Sequence, residues 1–232
     1  LFAQKIFEKC EMFNSDPFNE LAERYDAWFD GQNGRRVFRV ELDCIRGLLV
    51  EMPRPWLEVG VGTGRFASAF GVEDGIDPSP EVLKIAAQRK INTQLGHGED
   101  MPYPDSTYGT VLMIVTICFL SEPDKALREV GRVLRSGGRL VLGLVPADSP
   151  WGKFYAQKGR EGHPFYSAAT FYTCRDIIEM AVAVGFDLER SMSCLFESPE
   201  TEVSEYSSSR EGIVADSGFV GMRFKLGDPN RK

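Results

Sequence analysis

Glu58-Val59-Gly60-Val61-Gly62-Thr63-Gly64 stands where a short apolar strand, residues 56–59, has to turn into a helix over 65–70. Glycine at 60, 62 and 64 lets the backbone turn sharply and approach a ligand closely, and the helix beyond opens with N–H groups that no helical carbonyl uses. Asp77 follows Gly60 by 17 positions (77 − 60), at the end of a second strand that closes on Gly75-Ile76-Asp77. A carboxylate at the end of a second strand can accept both hydroxyls of a ribose. Each feature also has a plain structural reading: the loop as a tight turn, Asp77 as a helix cap before Pro78. Together they are far more specific than either is separately.

Working outward, the pattern alternates. Upstream, Leu21, Tyr25, Trp28 and Phe29 recur at helical spacing, Gly31 to Gly34 supplies a break, and a second helix over 37–50 ends at Pro53 and Pro55. Downstream, Pro78 and Ser79 open a helix through Arg89, with Ser79 at the N-cap and Glu81 in the first turn. Strands are expected at 91–95 and 110–116, then a helix over 124–134 stopped by Gly137 and Gly138, then a strand at 139–145. Strands alternating with helices imply βαβ units and a largely parallel α/β sheet. Residues 146–170, rich in aromatics, Gly and Pro, should cover the sheet's ligand end. A helix over 174–184 and two closing strands, 186–196 and 219–226, complete the chain, with a polar loop near 200–209 between the strands. The reading is one domain over 1–232: a helical cap (1–50), a cofactor-binding core (51–145), a lid (146–170) and a C-terminal helix with closing strands (171–232).

The composition excludes several classes. The 232 residues carry 27 Lys and Arg against 34 Asp and Glu, a net charge of −7, and the basic residues are dispersed. A nucleic-acid partner is therefore not expected. Five widely spaced cysteines without a C-x-x-C pair, and only His97 and His163 as imidazoles, argue against a metal site and for reduced thiols in the cytoplasm. No apolar run approaches 18 residues, so no membrane span is expected. The chain begins at Leu1 rather than Met, which leaves N-terminal targeting open.

Two ligands compete for the glycine loop. A dinucleotide fingerprint requires G-x-G-x-x-G, which would put its third glycine where Arg65 stands. The spacing here is G-x-G-x-G, preceded by an acid that a pyrophosphate does not want and that a ligand bearing an ammonium and a sulfonium tolerates. That favours S-adenosylmethionine over NAD. The chain then resembles the class I S-adenosylmethionine-dependent methyltransferases, specifically the small-molecule branch similar to quinone-biosynthesis methyltransferases. The resemblance runs from about residue 25 to 145. Besides the glycine loop it rests on Gly75-Ile76-Asp77-Pro78-Ser79, Met101-Pro102-Tyr103-Pro104-Asp105, Ala126-Leu127-Arg128-Glu129-Val130 and Arg132-Val133-Leu134-Arg135-Ser136-Gly137-Gly138.

The resemblance implies a Rossmann-like, seven-stranded, mostly parallel sheet whose last strand is antiparallel, flanked by helices. It implies that Glu58, Gly60 and Gly62, with Thr63 and Gly64, line the methionine moiety, that Asp77 takes the ribose, and that Pro78 and Met101 sandwich the adenine. Where the family commonly has Gly-Asp-Ala-Glu, this chain has Gly96-His97-Gly98-Glu99. His97 thus replaces the usual acid; a neutral imidazole can accept one hydrogen bond from the adenine amino group, and Gly98 can donate its N–H to the ring. Thr116 and Ile117 fall near the transferable methyl, and Cys118 reads as a packed thiol. Tyr25, Trp28 and Phe29 from the cap, with Tyr155 from the lid, are the acceptor-pocket candidates, Tyr25 touching both ligands. His163 is the weak candidate for a base. A small-molecule acceptor, methylated on N or O, is the expected partner. A noncatalytic S-adenosylmethionine-binding protein and an NAD-dependent oxidoreductase are the alternatives.

Overall fold

The structure, a computed structural model, describes residues 17–204 and 207–227; cap residues 1–16, residues 205–206 of the polar loop and the final 228–232 lie outside the described residues. The described residues open with α1 (Pro17–Glu20), α2 (Ala22–Trp28) and α3 (Gln32–Arg46). The helical break is narrower than the two glycines predicted. Gly31 is the N-cap of α3, whereas Gly34 lies inside it, because its missing side chain lets α3 rest on the Trp28 carbonyl.

Alternation then follows as expected: β1 (Trp56–Val59), α4 (Arg65–Phe70), β2 (Asp74–Asp77), α5 (Pro80–Gln88), β3 (Asn92–Leu95), β4 (Tyr108–Ile114), α6 (Pro123–Val133) and β5 (Leu134–Leu144). Ser79 stands at the N-cap of α5 with extended backbone, though its hydroxyl makes no capping bond. Strand β5 starts at Leu134, which pairs with Tyr108, five residues before the predicted start. Gly137, at φ 72°, bends this strand rather than stopping the helix. The lid region forms α7 (Pro150–Arg160), N-capped by Ser149, and a 3-10 turn at Tyr166–Ala168. Last come α8 (Cys174–Ala183), β6 (Phe186–Cys194), β7 (Arg210–Glu211) and β8 (Phe219–Leu226).

Among the described residues the sheet has eight strands in the order β3-β2-β1-β4-β5-β8-β6-β7, one more than the seven expected. The extra one is the two-residue β7, which pairs with Met192 and Ser193 and is too short to leave a periodicity. Strands β1 to β5 are mutually parallel and β8 is antiparallel to both its neighbours. All of β1 and β4 is buried, as continuous apolar runs in a sheet covered on both faces must be. One face packs Leu57, Val59 and Met113 under α6 and α8; the other packs Trp56, Leu112 and Ile114 under α3, α4 and α5. Among the described residues, no helix is long and apolar enough to cross a membrane.

Candidate functional site

The carboxyl ends of β1, β2 and β4 open into a cavity of about 650 Å³, a size suited to a cofactor together with a small molecule. Its floor is the loop after β1. Gly60, Gly62 and Gly64 all take positive φ, at 68°, 51° and 78°. The loop is pinned by Gly60 N–H and Val61 N–H, which both donate to the Ile76 carbonyl at 2.8 and 3.1 Å. Gly62 N–H donates to Asp77 Oδ2 at 2.9 Å, and Ser79 N–H donates to Oδ1 at 3.0 Å. Asp77 is thus oriented by backbone N–H groups on both of its oxygens.

Alternation along β1 puts Leu57 and Val59 into one core face and turns Glu58 to the other, beneath the cavity. Glu58 is 2% exposed, and its Oε2 has no hydrogen-bond partner among the described residues. Burial pushes its carboxyl well above the usual range; the Ala67 N–H offsets part of this, and the Asp77 carboxylate adds to it. A buried acid beside a glycine cradle is the arrangement that a ligand cation would complete.

At the end of β4 the chain kinks through Val115, whose φ of 53° is strained for a β-branched residue. The kink returns Thr116 against Gly60, with Thr116 Oγ1 donating to the Ile114 carbonyl at 3.1 Å. Cys118 lines the cavity too, but burial pushes its thiol up to about 12, so it is a neutral packed thiol and not a nucleophile.

The roof comes from the cap and the lid. Tyr25, Trp28, Phe29 and Tyr155 all line the cavity, Trp28 at its mouth with 44% exposure. Cap and lid meet directly: Phe165 lies 5.1 Å from Phe18 and 5.6 Å from Tyr25 between ring centroids. Of the other lid aromatics, Trp151 is sequestered in the core, donating from Nε1 to the Glu197 carbonyl at 2.7 Å. His163 lines the cavity and stacks on Tyr166 at 4.4 Å. Burial, and then Arg24 and Lys158, hold its imidazole below the ordinary histidine range, so it is neutral at neutral pH.

Pro78, His97, Gly98, Thr63 and Thr116 also line the cavity, but three expected residues do not. Met101 is 3% exposed within the core: its N–H donates to Glu129 Oε2 at 2.8 Å and its carbonyl accepts from Arg132, which draws the segment onto α6. Ile117 is buried in the same core. Gly64 faces backwards, where any side chain would strike Ile91 and Ala86, so its absent Cβ serves packing rather than a ligand. Leu120 lines the cavity, whereas Met101 does not.

Sequence reading passed over Arg65, which clamps the roof to the floor. It donates from Nε and Nη2 to Asp26, both at 2.9 Å, and reaches Asp30, while Arg89 bonds Asp26 and the Thr63 carbonyl. Burial alone would raise Asp26, but hydrogen bonds from Arg65 and Arg89 outweigh it and hold the carboxyl well below its usual range. Arg65→Ala should cost about 1–3 kcal/mol, between a surface pair and a buried one. Limited proteolysis should then cut within residues 17–30 while the sheet stays folded; an unchanged cleavage rate would show that the clamp holds nothing.

Comparison with known proteins follows the same outline. Residues 57–142 match a family described as a methyltransferase domain. An uncharacterized protein of Mycobacterium tuberculosis is 36% identical over 201 residues, covering 87% of this chain and 70% of the relative. A demethylmenaquinone methyltransferase of Tropheryma whipplei is 32% identical over 140 residues, covering 54% of this chain and 56% of its own. The crystal structure of an S-adenosylmethionine-dependent methyltransferase from Thermotoga maritima, described as a possible histamine N-methyltransferase, superposes with a TM-score of 0.83 at 32% identity. It covers 90% of this chain and 97% of that one.

Proposed function

Since the chain belongs to the S-adenosylmethionine-dependent methyltransferases, we propose that it methylates a small-molecule acceptor on a nitrogen or oxygen atom, inside the roofed cavity, in the cytoplasm. The observation that carries this reading is the pairing of Glu58, with its unpartnered buried oxygen, and Asp77 across one glycine loop on the cavity floor. The donor set fits the cofactor: Glu58 for the ammonium, Gly60 and Gly62 for close approach of the methionine chain, Asp77 for the ribose hydroxyls. Bound S-adenosylmethionine supplies a methyl group already activated on a sulfonium. What the chain adds is alignment and exclusion of water, and well-aligned systems reach effective molarities of about 10⁵ to 10⁸ M. Tyr25, Phe165 and Tyr155 close the roof and shield the cavity from solvent. His163, neutral and against the roof, is one of two imidazoles lining the cavity, with His97. A nitrogen acceptor agrees with the description of the Thermotoga maritima relative.

Calorimetry with the purified chain tests this. S-adenosylmethionine and S-adenosylhomocysteine should bind and NAD should not. Asp77→Ala should weaken the cofactor by about 1.5–3 kcal/mol, the value of hydrogen bonds to a charged group. An unaltered dissociation constant would reduce Asp77 to an organiser of its own loop. Slow methyl turnover against a metabolite panel separates an enzyme from a noncatalytic binder.

A further inference from the structure

Among the described residues, four carboxylates line the cavity: Glu41, Glu58, Asp77 and Glu99. Three have partners or a stated role. Asp77 accepts from Gly62 and Ser79, and Glu99 accepts from the Ser121 N–H and hydroxyl and from the Glu122 N–H. Glu58 lies at the glycine loop, where the cofactor's ammonium belongs. Glu41 is left over. It sits on the inner face of α3 with Val37, Val40, Cys44 and Ile45, is 7% exposed, and has neither a hydrogen bond nor an ion pair among the described residues. The cations of the cavity wall do not answer it: Arg65 is tied to Asp26 and Asp30, and Arg24 is exposed beside His163.

Burial is the cause that pushes the Glu41 carboxyl up to about 8. The groups whose titration feels it are Tyr25, Tyr155, Tyr166 and Cys194, all neutral at working pH. Tyr155 and Tyr166 stack at 4.4 Å, and aromatic faces of this kind attract cations. A carboxylate buried without a partner is costly to keep, and a cation with an apolar body satisfies both it and the rings.

We propose that Glu41 anchors the acceptor subsite, and that the acceptor is an amine whose ammonium nitrogen seats against this carboxylate among the Tyr25, Tyr155 and Tyr166 rings. This rests on the methyltransferase reading above. Tyr25 feels both Asp77 and Glu41, so its ring lies where the cofactor end and the acceptor end of the cavity meet. Seating the ammonium releases the proton that burial keeps on Glu41 to solvent, so that the pair is ionic. The ammonium then gives one proton to the Glu41 carboxylate, and the freed lone pair forms the nitrogen–carbon bond as the carbon–sulfur bond breaks. That electron pair stays on sulfur, and the positive charge of the sulfonium passes to the methylated nitrogen. Glu41 then releases its proton to solvent as the product leaves.

The test uses the full chain saturated with S-adenosylhomocysteine, so that nothing turns over. Benzylamine, phenethylamine and tryptamine are titrated calorimetrically against benzyl alcohol, 2-phenylethanol and tryptophol. At least one amine should bind tenfold or more tightly than its alcohol. Glu41→Gln should shrink that gap below threefold with S-adenosylhomocysteine affinity unchanged, which also shows that the variant is folded. Equal binding of every amine and its alcohol by the natural chain would overturn the proposal, as would equal weakening of both by Glu41→Gln. Failure of the natural chain to bind S-adenosylhomocysteine would overturn the cofactor reading and this proposal with it.

Discussion

Gly60→Ala is expected to lower S-adenosylmethionine affinity at least about 100-fold, near 2.7 kcal/mol. Two independent penalties meet at this position. With φ at 68°, any side chain forces an L-residue into the left-handed region, at roughly 1–2 kcal/mol. The new Cβ would also collide with the Cβ, Oγ1 and Cγ2 of Thr116, which the strained Val115 turns back against the loop. Neither strand can yield easily, since β1 and β4 are hydrogen-bonded neighbours, fully buried and paired from Trp56–Thr110 to Glu58–Leu112. The strain must therefore go into the loop, which forms the cavity floor. A second substitution separates the penalties. Thr116→Gly in the Gly60→Ala background should recover the part due to collision and leave the backbone part. Full affinity in Gly60→Ala alone would mean that the loop is not the cofactor's floor.

The parts of this site that were legible in the sequence are those set by local spacing. The glycine loop and Asp77 lie 15 to 17 residues apart because one strand, one turn and one helix separate them, and the Gly62–Asp77 hydrogen bond closes that unit. The aromatic roof was legible as composition, but composition does not say which rings face inward. Trp151 went to the core and Tyr155, one helical turn on, to the cavity. The seat of Met101 in the core was not legible, because it follows from Glu129 and Arg132, 28 and 31 residues away. Arg65 and Asp26 could not be paired from sequence for the same reason. Glu41 did leave a signal. It stands four residues after Val37 and four before Ile45, on the apolar stripe of α3. Set between Arg39 and Asp43, it looks like one of several surface charges until that periodicity is imposed.

That buried acid gives the second large effect, on stability: Glu41→Gln should stabilise the ligand-free protein, and more so as the pH rises. The folded carboxyl titrates at about 8 against 4.5 in its ordinary state, so between these values the native chain holds a proton that the unfolded chain has lost. Stability from the neutral side chain is fully present below pH 4.5, declines as the pH rises, and is gone above about 8. Glutamine keeps the shape and the neutrality without titrating. The variant and the natural chain should therefore melt together near pH 4.5, diverge through the window and differ by a constant amount above it. At about 1.4 kcal/mol per tenfold, the ceiling is on the order of 5 kcal/mol. Relaxation of the surrounding side chains around the charge lowers this to about 2–4 kcal/mol, a Tm gain of roughly 4–15 °C at pH 9. Glu58 also titrates high, but it is common to both proteins and cancels in the difference. Tyr25, Tyr155, Tyr166 and Cys194 are all pushed upward and stay neutral through the window. Parallel melting curves from pH 5 to 9 would mean that Glu41 is solvated or paired in solution, and the acceptor subsite would lose its anchor. Divergence that a bound amine then abolishes, by restoring a partner to the natural chain alone, would tie the cost of this carboxylate to its use.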